Sequence, residues 1–228
     1  MLAIRQFDAE IKKTEIDNVT ITADGSKHIF VYAFIYALFS GRKVVLNNVP
    51  AITDTEFLLE YAVAAGAEIE YDRDKKKIIV YEKVKENLIS TPMVVNCRSS
   101  LLVLAMHYME FSTARMINAV GGCQLGERKI DQHIRLWNCL GAKVSIGHEI
   151  SLVKEIESLH SFGFELDTTM GSICALYAME KGLLRTADNI SVRPEVLDLC
   201  NFLSCFGRRI KIIGRKGNEA AFSGCCCV

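Results

Sequence analysis

The stretch Val120-Gly121-Gly122-Cys123-Gln124-Leu125-Gly126-Glu127-Arg128-Lys129-Ile130-Asp131 is where the types and spacing of residues best suit chemistry. Three glycines within six residues let the backbone bend sharply and come close to a ligand. The same loop carries a thiol, a guanidinium and a carboxylate. A thiol on a glycine-rich loop beside positive charge has its proton loosened, so it can act as an acid or a base. Taken alone, the loop reads as a turn with an idle cysteine. Two further features change that reading. Lys27 opens one very apolar helix-like run and Arg98 opens another. A cation in the first turn opposes the helix dipole, and a bound anion would explain it, because unpaired backbone N–H groups point at the same spot. A third apolar run opens with Thr168-Thr169-Met170-Gly171-Ser172, which offers hydroxyls and N–H groups without a cation. For either cation alone, snorkelling to solvent is the simpler account. Two equivalent cations together with Arg128 favour a shared anion site.

The elements that must position these residues recur in a fixed order. The first copy starts from a strand signal at Val19 to Thr22. A helix follows from the N-cap candidate Ser26 to about Phe39, then a strand from Lys43 to Leu46 and a turn at Asn47-Asn48-Val49-Pro50. Thr53-Asp54-Thr55-Glu56 has capping-box spacing before a second helix, Phe57 to Ala65. Gly66 stops that helix, and Ala67 to Tyr71 pairs with Lys77 to Tyr81 as a hairpin with a solvated tip at Asp72 to Lys77. In the second copy Arg98 to Glu110 is the helix, Ala114 to Asn118 the strand and Lys129 to Leu140 the second helix. Gly141 is its stop, and Lys143 to Val153 is a hairpin turning at Gly147-His148. In the third, Gly171 to Glu180, Leu183 to Ala187, Pro194 to Cys205, Gly207 and Arg209 to Ile213 repeat the order. The fold expected is α/β: one pseudo-threefold domain over residues 1–224, with repeats at about 25–83, 96–155 and 168–224. The sheets lie outside and the apolar helices inside. Residues 225–228 form a cysteine-rich tail that fits a prenylation box only loosely, with Cys225 as acceptor, and reads as a chance ending.

Composition narrows the partners. The 228 residues are 50% hydrophobic, enough for one sizeable core. Lysine plus arginine and aspartate plus glutamate both number 27, so no overall field favours nucleic acid or a membrane surface. Nine cysteines without paired spacing and no recognisable signal peptide are expected of reduced thiols in the cytoplasm. The run His28 to Ser40 is too short to span a bilayer. Cys97, Cys139, Cys174, Cys200 and Cys205 read as core fillers on apolar helix faces, as do Met106, Met109 and Trp137. His107 and His160 lack ligand-spaced partners, so neither a metal nor another cofactor is expected.

In order along the chain, Gly25-Ser26-Lys27, Asn47-Asn48-Val49-Pro50, Gly121-Gly122-Cys123 with Gly126, Arg128, Asp131 and His133, and Arg193-Pro194-Glu195 with Asp198, Asn201 and Phe202 resemble the enolpyruvyl transferases. The likeness runs from about Val19 to Gly214 and is greater to the branch acting on UDP-N-acetylglucosamine than to the shikimate-pathway branch. It implies an inside-out α/β barrel of βαβαββ units. It also implies transfer of the enolpyruvyl group of phosphoenolpyruvate to the 3′-hydroxyl of UDP-N-acetylglucosamine, for peptidoglycan precursors. On this likeness Cys123 would protonate the vinyl carbon and be the target of fosfomycin. Lys27, Arg98 and Arg128 would hold phosphoenolpyruvate. Arg128, Lys129, Ile130, Asp131 and Gln132 would lie along the uridine, and Thr169, Met170 and Gly171 would face the diphosphate. The chain departs from the family pattern at His28, where asparagine is usual, and at Val120, Lys129 and Arg193. His28 therefore changes one contact to the sugar substrate. Asp131 serves equally as a first-turn acid suited to the helix dipole.

Enolpyruvyl transferases have two similar domains with the site between them, and this chain resembles the first. The expected partners are therefore phosphoenolpyruvate, UDP-N-acetylglucosamine, and either a second-domain chain or a second copy of this chain. Two alternatives stay open: a non-catalytic module that binds a nucleotide sugar, and the same fold acting on another acceptor.

Overall fold

The computed structural model describes residues 25–85, 97–117, 130–157, 161–162, 168–187, 190–207, 211–213 and 219–221. Cys123, Arg128, Lys129, His160, the Val19 to Thr22 strand and the tail lie outside the described residues.

Three helices form the centre: α1 (Lys27–Ser40), α3 (Ser100–Phe111) and α5 (Thr169–Glu180). Each is apolar almost all the way round, and a helix with no polar face must be enclosed. Every residue from Phe30 to Phe39 is buried, as are Ser100 to Tyr108 and Gly171 to Ala178. Three amphipathic helices pack outside them: α2 (Thr53–Ala64), α4 (Asp131–Cys139) and α6 (Pro194–Ser204). On α6 the buried residues are Val196, Leu199, Cys200 and Leu203, the spacing of one helix stripe.

Strands cover the assembly. β1 (Val44–Leu46), β2 (Glu68–Asp72) and β3 (Lys77–Glu82) form an antiparallel sheet in the order β1-β3-β2. β4 (Thr113–Ile117), β5 (Ala142–Ile146) and β6 (Glu149–Lys154) form the matching sheet β4-β6-β5. The two have equivalent centres. Val80 pairs with Val44 and Ile69, Leu152 pairs with Ala114 and Val144, and both Val80 and Leu152 are fully buried. Next come β7 (Ser161–Phe162), parallel to β8 (Thr186–Ala187), and β9 (Lys211–Ile213), antiparallel to β10 (Glu219–Ala221). The succession helix, strand, helix, strand, strand therefore occurs three times, with one further described strand, β7, before α5.

The three glycine stops fall where the sequence puts them. Gly66, Gly141 and Gly207 have φ of 72, 86 and 79°, the left-handed turn that ends a helix and that glycine adopts without penalty. Past the first two hairpins the backbone returns to the end of the outer helix: Lys85 N–H donates to the Ala65 carbonyl and Glu155 N–H to the Gly141 carbonyl, both at 2.9 Å.

Ser26 is the N-cap of α1, as the sequence suggests, without a side-chain cap bond. Two local expectations need correction. Thr53 to Glu56 does not form a capping box: α2 already begins at Thr53, its N-cap is Ile52, and the Thr55 hydroxyl donates to the Pro50 carbonyl at 2.7 Å. Of the cysteines, Cys139, Cys174 and Cys200 are buried core residues, whereas Cys205 is exposed because it lies beyond Leu203, the last buried residue of α6. Cys97 is buried but precedes α3, where it hydrogen-bonds rather than fills space.

Among the described residues no helix is long and apolar enough to cross a membrane.

Candidate active site at the pole of the helix N-termini

Hydrogen bonds and charge interactions link the N-terminal regions of the six helices in turn. Lys27, first residue of α1, pairs through Nζ with the Asp54 carboxylate in the first turn of α2, at 2.6 Å. The other oxygen of Asp54 accepts from the Cys97 thiol at 2.8 Å, just before α3. Arg98, next to Cys97, acts electrostatically on His133 in α4. Gln132 of α4 accepts from the hydroxyl of Thr168, the N-cap of α5, at 2.8 Å. Arg193, the N-cap of α6, reaches the Thr169 hydroxyl at 3.5 Å, and Ser191 N–H donates to Ser172 Oγ at 2.9 Å. Glu195, in the first turn of α6, acts electrostatically on Tyr32 in the second turn of α1.

At the opposite pole the helix ends also meet. Lys181, the C-cap of α5, donates to the Phe39 carbonyl of α1 at 3.1 Å and to Glu110 of α3 at 2.6 Å. Arg42, just past α1, donates to the Phe206 carbonyl past α6 at 3.3 Å. The helices thus run the same way. Each contributes roughly half a positive charge at its N-terminus, and the sum favours an anion at the first pole.

Lys27, His28 and Asp131 are exposed there, while Arg98, Ile130, Gln132, Thr169 and Met170 are half-buried and Gly171 is buried. Among the described site residues, the structure joins Lys27 to the segment bearing Arg98 through Asp54, and Gln132 to the start of α5 through Thr168. Two motif pieces that were separate in sequence also touch. A Cβ on Gly25 would lie 1.9 Å from the Asn48 carbonyl oxygen, so only glycine lets the lead-in to α1 pack on the Asn47 to Pro50 turn. The Gly171 N–H is taken by the Thr168 hydroxyl at 3.2 Å, an N-cap bond, and so is not offered to a ligand.

Sequence reasoning missed Asp54 and Thr168. In sequence Asp54 reads as part of a capping box, and Thr168 as one hydroxyl of the run that opens the third apolar helix. The usable signal was an acid at the start of the outer helix in the same copy as Lys27.

His133 is 2% exposed, and neither ring nitrogen has a partner among the described residues. Burial, and then the Arg98 charge, push its pKa down to about 4, so the ring is neutral at physiological pH. A neutral imidazole beside the Trp137 ring, 5.9 Å between centroids, can bind by hydrogen bonding without adding charge. Among the described residues no group of three or more His, Cys, Asp and Glu side chains is arranged to hold a metal.

A family model described as EPSP synthase (3-phosphoshikimate 1-carboxyvinyltransferase) matches residues 12–221. The chain belongs to the EPSP synthase family. Members of this family are enzymes, the enolpyruvyl transferases. Similar curated proteins include UDP-N-acetylglucosamine 1-carboxyvinyltransferase 1 of Caldanaerobacter subterraneus subsp. tengcongensis, 28% identical over 203 residues, covering 86% of this chain and 47% of that protein. The UDP-N-acetylglucosamine 1-carboxyvinyltransferase of Wolbachia pipientis wMel is 30% identical over 220 residues, covering 90% and 51%. The chain thus spans about half the length of the curated relatives it matches. The fold is similar to that of the enolpyruvyl transferase NikO from Streptomyces tendae, with a TM-score of 0.59 at 16% identity, covering 87% of this chain and 46% of that one. It is also similar to EPSP synthase from Acinetobacter baumannii, with a TM-score of 0.60 at 14% identity, covering 87% and 45%.

Proposed function

We propose that this chain is the first-domain half of an enolpyruvyl transferase that moves the enolpyruvyl group of phosphoenolpyruvate to the 3′-hydroxyl of UDP-N-acetylglucosamine, in peptidoglycan precursor synthesis. In this reading residues 1–224 are one domain, an inside-out α/β barrel of three βαβαββ units about a pseudo-threefold axis. A second-domain chain, or a second copy of this one, completes the site.

The observation that carries the reading is the gathering of six helix N-termini around Lys27, Arg98 and the Gln132–Thr168 junction. Phosphoenolpyruvate and a nucleotide diphosphate are both strongly anionic, and aligned backbone dipoles with cations suit them. The names of the relatives support the choice of acceptor. Lys27, Arg98 and Arg128 would hold phosphoenolpyruvate. Arg128, Lys129, Ile130, Asp131 and Gln132 would follow the uridine, with His28 beside the sugar. At α5 the diphosphate would meet the first-turn amides of Thr169 and Met170, with Gly171 giving close approach. Cys123 would give its proton to C3 of phosphoenolpyruvate as the sugar oxygen bonds to C2. Loss of phosphate from C2 and of a proton from C3 would then restore the double bond. The groups that take the sugar proton and grip the carboxylate would come from the second half.

Fosfomycin labelling tests the thiol. Alkylation mapped to Cys123 and abolished in Cys123→Ser is expected, and labelling confined to Cys225 to Cys227 would overturn the assignment. Phosphate release from phosphoenolpyruvate plus UDP-N-acetylglucosamine is expected once a separately expressed second half is added. The half-length span favours one alternative, a nucleotide-sugar-binding module. Binding by calorimetry with no phosphate release, with or without that second half, would establish the module instead.

A further inference from the structure

We propose that Cys97 and Asp54 form a positioning relay for Lys27: the Cys97 thiol pins one carboxylate oxygen of Asp54, and the other oxygen holds the Lys27 ammonium at the pole for a phosphorylated ligand. The inference rests on the reading of Lys27 as a phosphate-holding residue.

Lys27 needs an anchor. It is the first residue of α1, its side chain is 52% exposed, and the helix dipole repels its charge. A lysine side chain has many rotamers to give up, and an exposed ion pair seldom holds one geometry against that entropy. This pair differs because its acid is already fixed. The Asp54 side chain is only 13% exposed and sits in the first turn of α2, where the dipole favours a negative charge. Its two oxygens have separate partners, Nζ of Lys27 at 2.6 Å and Sγ of Cys97 at 2.8 Å.

Cys97 is suited to be the donor. It is 7% exposed, and its sulfur also touches the hydroxyl of Ser99, the N-cap of α3. Burial, reinforced by the bond to Asp54, raises its pKa to about 11, so at neutral pH it keeps its proton and donates. The relay spans 27 residues from Lys27 to Asp54 and 43 from Asp54 to Cys97, and ties together the N-terminal ends of α1, α2 and α3. It places Lys27 close to the segment that carries Arg98. Cys97 is then a positioning residue that acts through Asp54, with no contact to the ligand required.

The experiment compares the full chain with Cys97→Ser, Cys97→Ala, Cys97→Val and Asp54→Asn. The modification rate of Lys27 by an amine-reactive reagent is mapped by mass spectrometry, and phosphoenolpyruvate binding is measured by calorimetry. Serine can still donate to Asp54, whereas alanine and valine cannot. The expected result is several-fold faster labelling of Lys27 in Asp54→Asn, Cys97→Ala and Cys97→Val, with parent-like labelling in Cys97→Ser. Phosphoenolpyruvate binding should weaken several-fold in Cys97→Ala and Cys97→Val and recover in Cys97→Ser. A purely structural role for Cys97 would lower the melting temperature without changing Lys27 labelling in the folded protein, and that outcome overturns the relay. Faster labelling in Asp54→Asn alone overturns the thiol's part in it. If the cysteine variants do not fold, Asp54→Asn decides, and unchanged Lys27 labelling there overturns the relay. If the parent binds no phosphoenolpyruvate yet the labelling pattern holds, the relay stands and the ligand reading fails.

Discussion

Gln132, in the first turn of α4, accepts the hydroxyl proton of Thr168, the N-cap of α5, at 2.8 Å. This bond joins the segment proposed to follow the uridine to the helix start proposed to meet the diphosphate. Replacing Gln132 by leucine removes the link without disturbing the cap of α5. UDP-N-acetylglucosamine binding, read by calorimetry, should weaken about tenfold, the equivalent of roughly 1.4 kcal/mol. Thr168→Ala should also cost about 1 kcal/mol of stability, because it loses the N-cap bond to Gly171. Undiminished binding in Gln132→Leu would separate the two segments functionally.

Two buried histidines make stability pH-dependent. His107 is fully buried, and its Nε2 meets the Tyr61 hydroxyl. Burial pushes its pKa down to about 4 despite the opposing Glu110 charge, and His133 is also lowered to about 4. Both titrate near 6.5 in the unfolded chain, so protons prefer the unfolded state. Their contribution is complete above about pH 6.5, falls as pH drops toward 4, and levels off below that. The loss is roughly 3 kcal/mol per ring at about 1.4 kcal/mol per pH unit. Urea unfolding midpoints should decline across this window, and His107→Phe should flatten the slope by about one proton.

Glycine substitutions should separate close approach from mere turning. Gly141 has φ of 86°, and a Cβ there would lie 2.3 Å from the Ile156 carbonyl oxygen. Gly182 has φ of 75° with open space around it, and Gly147 has open space with no such φ. Gly182→Ala should cost about 1–2 kcal/mol from the left-handed backbone alone, Gly141→Ala distinctly more, and Gly147→Ala close to nothing. Thermal denaturation of the three variants checks the order.

Lys181 caps the far pole. Its ammonium serves Glu110 and the Phe39 carbonyl, and Glu110 also pairs with Lys83. Burial would raise the Glu110 pKa, but the two lysines outweigh it and hold the carboxyl below its usual range. Lys181→Met leaves a part-buried acid with one partner and a helix carbonyl without its donor. A loss of roughly 2 kcal/mol is expected in chemical denaturation, with little change in ligand binding at the opposite pole.

The sequence by itself determined the elements and their succession. An all-round apolar run has only one stable environment, so α1, α3 and α5 were legible as enclosed helices. A glycine after an amphipathic run has a local preference, so the stops at Gly66, Gly141 and Gly207 were legible too. The motif pieces pointed to the enolpyruvyl transferases, because a motif keeps its residue types in order along the chain. Only the tertiary structure decided who meets whom. Asp54 read as a helix cap and became the anchor of Lys27, and Cys97 read as filler and became the donor to Asp54. Lys181 gave no sequence signal, yet it joins α1 to α3. The physical reason is range. Periodicity and capping patterns report the face and ends of one element, whereas a hydrogen bond across 27 or 43 residues depends on how separate elements pack.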